Sequence, residues 1–252
     1  MVGLIKFFKI VLAFVLAPLV VAFCLQAFFS LTGNVAWQDL TWMLVGLVGY
    51  FIVYIVINSN NLRFLETLEH EFIHAVTVIF SLSTLVRLRV YPEKNESGEG
   101  FSSTEYNNFE GMVNWSPSGC FLIFLAPYFL PILTIPLLLI HPFVPLSLTP
   151  FIDVLIGVTM GFHYAALAKE FHLEQTDIQK QTLPFSVVIT LLFNTIILVL
   201  VISVVADDLR LTLDYLREAF ARSYGYYSVI AAWIGDLGIL AKVQQLVTLL
   251  SA

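Results

Sequence analysis

Five consecutive residues, His70-Glu71-Phe72-Ile73-His74, carry the most specific chemistry in the chain. On a helix, positions four apart lie one turn above each other on one face, so His70 and His74 can offer two imidazoles to a single ion. Glu71 then points close to the coordination position left open. Zn2+ suits that set, because a catalytic zinc takes three protein ligands and keeps a water for the reaction. Zinc acidifies that water, and Glu71 is the carboxylate that takes its proton and passes it to a leaving amine. Position adds weight: Glu66, Glu69, His70, Glu71 and His74 crowd one largely apolar segment, where ionisable groups are costly and tend to face a cavity or a partner.

A third protein ligand must come from elsewhere. Downstream His, Asp and Glu residues in or beside apolar segments are His141, Asp153, His163, Glu170, His172, Glu174, Asp177 and Asp236. His141 precedes Pro142 between two apolar segments and reads as a solvated loop histidine. His163, inside Gly161-Phe162-His163-Tyr164, is either a ligand or a hydrogen-bonded packing residue. Asp177, in Gln175-Thr176-Asp177-Ile178, sits where a helix starts, so it can cap that helix or reach the metal. Asp153 is a ligand candidate or a cap. His172 and Glu174 are ligand-orienting groups or solvated charges.

The elements that must position these residues lie in a membrane. Of the 252 residues 59% are hydrophobic and 12% charged, and the mean hydropathy is +0.88, too little polar surface for a water-soluble globule of this size. Twelve Lys and Arg against 18 Asp and Glu give a net charge of -6, which excludes nucleic acid as a natural partner. Cys24 and Cys120 lie in apolar runs and supply no disulfide framework.

The apolar run from Ile10 to Leu31 exceeds a signal-peptide core and reads as a first membrane span. Five further spans are expected at Leu40–Ile57, Leu62–Leu82, Gly119–Ile140, Phe151–Ala168 and Pro184–Ala206. The fourth contains Pro127, Pro131 and Pro136 and is expected to be broken or re-entrant. The expected fold is therefore an all-α polytopic membrane protein with about six transmembrane helices. A short β-strand and loop segment follows the HExxH helix, from Val86-Arg87-Leu88-Arg89-Val90-Tyr91 into an acidic, turn-rich stretch. Residues 1–206 would form the membrane core, with the HExxH helix at about 62–82 and the strand and loop at 84–118. Residues 207–252 would form amphipathic or interfacial helices, the first with apolar positions Leu209, Leu213, Leu216 and Phe220. Lys6, Lys9 and Arg63 favour cytoplasmic termini.

An HExxH on a membrane helix, a strand-and-loop segment directly after it, and an Asp about a hundred residues downstream resemble the site-2 protease family of intramembrane zinc metalloproteases. The resemblance spans roughly Leu62 to Ile202. It implies cleavage of membrane-protein or peptide substrates in a lipid bilayer, with Zn2+ held by His70, His74 and Asp177 and with Glu71 as base. It also implies a multi-pass protein of a bacterial cytoplasmic membrane, and the compact length of the sequence adds the expectation of a separate regulatory partner. Ile73 stands where the common HELGH form has Gly, and no NxxPxxxxDG sequence is present. Pro150-Phe151-Ile152-Asp153 echoes that motif in part, whereas Thr176-Asp177 resembles a divergent branch in which such a pair opens the last core helix.

Two further classes share the pentapeptide: a non-proteolytic membrane protein, either a metal transporter or an inactive protease-like scaffold, and a zinc hydrolase of lipid or prenylated substrates. A transporter needs ionisable residues along several helices, whereas this chain concentrates them in one. Asn114 and Asn194 are candidate donors to a tetrahedral intermediate. The strand at Val86–Tyr91 is a candidate edge for pairing with an unwound substrate.

Overall fold

The computed structural model describes residues 2–57, 60–81, 84–92, 109–116 and 121–236, and in the two strands it describes the backbone only. The helices are α1 (Val2–Asn34), α2 (Thr41–Ile57), α3 (Asn60–Phe80), α4 (Phe121–Leu125), α5 (Thr134–Ile140), α6 (Thr149–Glu170), α7 (Thr176–Gln181), α8 (Leu183–Val205) and α9 (Leu209–Asp236). Strands β1 (Thr84–Pro92) and β2 (Phe109–Ser116) pair antiparallel, Leu88 opposite Val113, with a bulge between Leu85 and Arg87. The hairpin lies beside α3.

Four helices among the described residues are long and apolar enough to cross a membrane: Gly3–Asn34, Trp37–Val56, Thr149–Glu170 and Leu183–Val205. This is the architecture of a helical membrane protein. The other two expected spans differ in kind. Helix α3 has the length, at 21 residues, but Arg63, Glu66, Glu69 and Glu71 make it too polar to join the four. The Gly119–Ile140 segment is not one helix. It runs from α4 through a 3-10 turn at Ala126–Tyr128 into α5, because Pro127, Pro131 and Pro136 each remove a backbone donor.

Packing is close where side chains are smallest. A Cβ on Gly46 would lie 2.0 Å from the Val154 carbonyl oxygen, and one on Gly157 would lie 1.9 Å from that of Met43. Backbone meets backbone there, so α2 and α6 cross at a distance that only glycine permits.

Helix α9 packs against α1 and α8 and buries Leu211, Tyr215, Ala219 and Ser223, one stripe of four-residue steps. Leu209, Leu213 and Phe220, the apolar positions expected of an interfacial helix, are exposed on its other sides. Partners on α1 explain the choice. Phe23 meets Tyr215 edge-on at 5.7 Å, and the buried Gln26 bonds Glu218 and accepts from Arg222 Nη2 at 2.9 Å. Tyr227 then donates to the Val15 carbonyl, so α9 runs back along α1. The remainder of the expected interfacial tail, 237–252, and the acidic loop 93–108 lie outside the described residues.

Candidate metal centre

Helix α3 contains neither Gly nor Pro and is rich in Leu, Glu and other tolerant helix formers. Its second half turns His70 and His74 onto one face, with Nε2 atoms 3.2 Å apart. Asp177 comes from α7, a six-residue helix whose Ile178 and Gln181 are buried. Lys9 of α1 fastens α7, donating to the Lys180 carbonyl at 3.2 Å and to Gln181 Oε1 at 2.7 Å. Thr182, with φ of 77°, breaks the chain between α7 and α8 and lets the short helix point away from the long one. Asp177 Oδ2 thereby lies 3.0 Å from His74 Nε2 and 3.7 Å from His70 Nε2.

These three separations test whether an ion fits. Tetrahedral zinc with bonds of about 2.0–2.1 Å sets neighbouring donors roughly 3.3–3.4 Å apart, and the values 3.0, 3.2 and 3.7 Å bracket that spacing. Hydrogen bonding is consistent with it. His74 Nδ1 is 2.6 Å from the Ile123 carbonyl, an acceptor only, so Nδ1 carries a proton and Nε2 is the nitrogen turned to Asp177 and His70, able to bind an ion once it has no proton of its own. At 3.0 Å from Asp177 Oδ2, that nitrogen either shares a proton with the carboxylate or joins it in holding a cation. A backbone carbonyl behind a ligating histidine is a common way of fixing the ring's tautomer and direction.

The carboxylate is ready for that role. Burial pushes the Asp177 carboxyl up, but the hydrogen bonds and charges of His70 and His74 outweigh it and hold the group well below the usual carboxylate range. Glu71 is buried beside His70. The Tyr128 ring stands edge-on to His70 at 5.3 Å and walls the site on that side.

The other candidate ligands go elsewhere. Asp153 accepts from His141 Nε2 at 2.9 Å, and His141 is buried, correcting the expectation of a solvated loop residue. His163 is buried outside the group. His172 and Glu174 are exposed and solvated, while Glu170 accepts from Gln175 at 2.7 Å. Asn194 spends its amide on the Tyr128 and Thr190 carbonyls at 2.8 and 2.9 Å, which leaves it no donor for an intermediate. The Asn114 side chain lies outside the described part of the structure.

Sequence reasoning missed three supports of the site. The Ile123 carbonyl gives no sequence signal, being backbone. Lys169, a lone cation near the end of α6, donates to Glu66 Oε2 at 2.6 Å and ties α6 to α3 one turn before the motif. A buried acid in an apolar segment demands such a partner. Tyr128 lay unread among the prolines.

No known protein family, curated protein or solved structure matches the chain at a significant level.

Proposed function

We propose that the protein is a zinc-dependent endopeptidase that hydrolyses peptide bonds of membrane-protein substrates. The observation that carries this is the convergence of His70 and His74 of α3 with Asp177 of α7, donor atoms all within 4.8 Å of one another, next to Glu71 on α3. His70 Nε2, His74 Nε2 and Asp177 Oδ2 would hold the ion. Zinc, when bound, polarises a carbonyl and acidifies water. Glu71 takes the proton of the attacking water and returns it to the departing amide nitrogen, so that one peptide bond is exchanged for a carboxylate and an amine. The Ile123 carbonyl keeps the His74 ring in register, and Tyr128 excludes bulk water from the His70 side.

Access fits a substrate drawn from the membrane. In this reading α3 and the broken α4–α5 segment are held within the membrane by the four long apolar helices, without being apolar or long enough to cross it in the same way. The outer edge of β1 offers backbone groups to a substrate strand that has unwound and exposed its own. Glu71 separates this reading from a transit site for metal, which has no need of a base.

The test is cleavage of a membrane-anchored reporter by the purified chain. Glu71→Gln should retain zinc and lose roughly 10²–10⁴-fold in turnover, the usual span for a lost general base. Unchanged cleavage by that variant would sink the proposal.

A further inference from the structure

A cavity lies on a different face of α3 from the two histidines. It measures about 500 Å³, and Leu62, Leu65, Glu69 and Phe72 line it at steps of three, four and three residues, one continuous helix face turned away from His70 and His74. Leu133 and Phe162 are among the residues opposite. Leu65, Phe72 and Leu133 are each 47% exposed and form an apolar mouth.

Three polar residues interrupt the lining: Tyr50, Glu69 and Thr159. Thr159 is occupied, accepting from Thr134 at 3.0 Å and donating to the Leu155 carbonyl at 3.0 Å. The other two are not. Glu69 is only 7% exposed, and both its Oε1 and the Tyr50 hydroxyl lack a hydrogen-bond partner among the described residues. Glu66, one turn earlier, has a cation on one oxygen, Lys169 at Oε2, although its Oε1 is unpartnered too. A buried carboxyl oxygen left unpaired is costly, and one at the wall of a cavity calls for a ligand.

Water is a poor occupant, because a buried water needs two to four polar partners and most of this wall is apolar. Hydrocarbon suits the wall, and the volume falls within the range of small-molecule sites. The geometry points to a binding site for a single-chain amphiphile whose head donates hydrogen bonds, a long-chain amine or alcohol. Its chain lies along Leu65, Phe72, Leu133 and Phe162. Its head donates to Glu69 and, where it is a hydroxyl, accepts from Tyr50. Because Glu69 adjoins His70, an occupied cavity braces the helix that bears the metal ligands.

The experiment uses the full chain in phosphatidylcholine nanodiscs and a photoreactive long-chain amine, with crosslinks mapped by mass spectrometry. Dodecylamine, dodecanol and dodecanoate then compete for the same labelling. Labelling of α3 and α6 around residues 62–72 and 158–162 is expected, with the amine or the alcohol competing about tenfold or more better than the acid. Glu69→Leu should abolish that preference, and Val158→Phe should block labelling, in variants whose helicity matches the wild type. Equal competition by all three, or labelling elsewhere or nowhere, would overturn the assignment. The wild-type ranking decides the matter even where a variant fails to fold.

Discussion

Replacing Asp177 by alanine removes one of three protein donors and the only formal negative charge among them, while the two imidazole nitrogens stay 3.2 Å apart on α3. Four-ligand structural zinc sites bind with about 10–16 kcal/mol, or about 3 kcal/mol per donor, so one lost donor weakens zinc roughly a hundredfold. Asp177→Asn keeps an oxygen but not the charge and should fall between the two. Competition of the purified, detergent-solubilised protein against a graded series of zinc chelators reads the change directly. Asp153→Ala and His163→Ala serve as controls, since the first residue is engaged by His141 and the second is buried outside the donor group. Equal zinc affinity in Asp177→Ala and wild type, or a selective loss in either control, would refute the assignment of the third ligand.

Further outcomes follow from the same geometry. Gly157→Ala sets a Cβ 1.9 Å from the Met43 carbonyl oxygen, and because backbone cannot step aside the loss should reach about 3 kcal/mol, read as a lowered melting temperature; an unchanged one would mean that α2 and α6 do not cross this closely. Lys169→Met strands the carboxylate of Glu66, whose side chain is fully buried, but the lysine is 37% exposed, so the expected loss is discounted to about 2 kcal/mol; Glu66→Gln in the same background should recover part of it, and no recovery would argue against the pair. In metal-free protein the depressed Asp177 carboxyl contributes stability that is present above its unfolded value of about 3.9 and is lost as pH falls towards the folded value. Acid unfolding of chelated wild type should therefore be steeper below about pH 4 than that of Asp177→Asn, and identical slopes would contradict the cause given for the depression.

How much of this was legible in the sequence differs from part to part, for physical reasons. The pairing of His70 with His74 follows from helical pitch alone, and the break in the fourth apolar segment follows from the missing amide hydrogens of Pro127, Pro131 and Pro136. For the proposed third ligand the residues alone left Asp153, His163 and Asp177 side by side, since each suits its local sequence, and only the resemblance carried by Thr176-Asp177 favoured Asp177. What separates them is tertiary: the turn at Thr182, the anchoring of α7 by Lys9, and the capture of Asp153 by His141. Helix α9 itself was legible, but the face it packs against the protein was not, for a related reason. Its leucines mark one amphipathic face, but the face it buries is chosen by Phe23 and Gln26 on α1, residues some two hundred positions away. A glutamine inside an apolar helix was the available signal, since such a residue calls for a polar partner.

Metal content of the purified wild-type protein tests the central claim most directly. After zinc is supplied and excess removed, elemental analysis should find about one zinc per chain, and X-ray absorption should show two imidazole nitrogens together with oxygen ligands. A well-folded protein that binds no zinc under those conditions would contradict both the metal centre and the hydrolysis built on it.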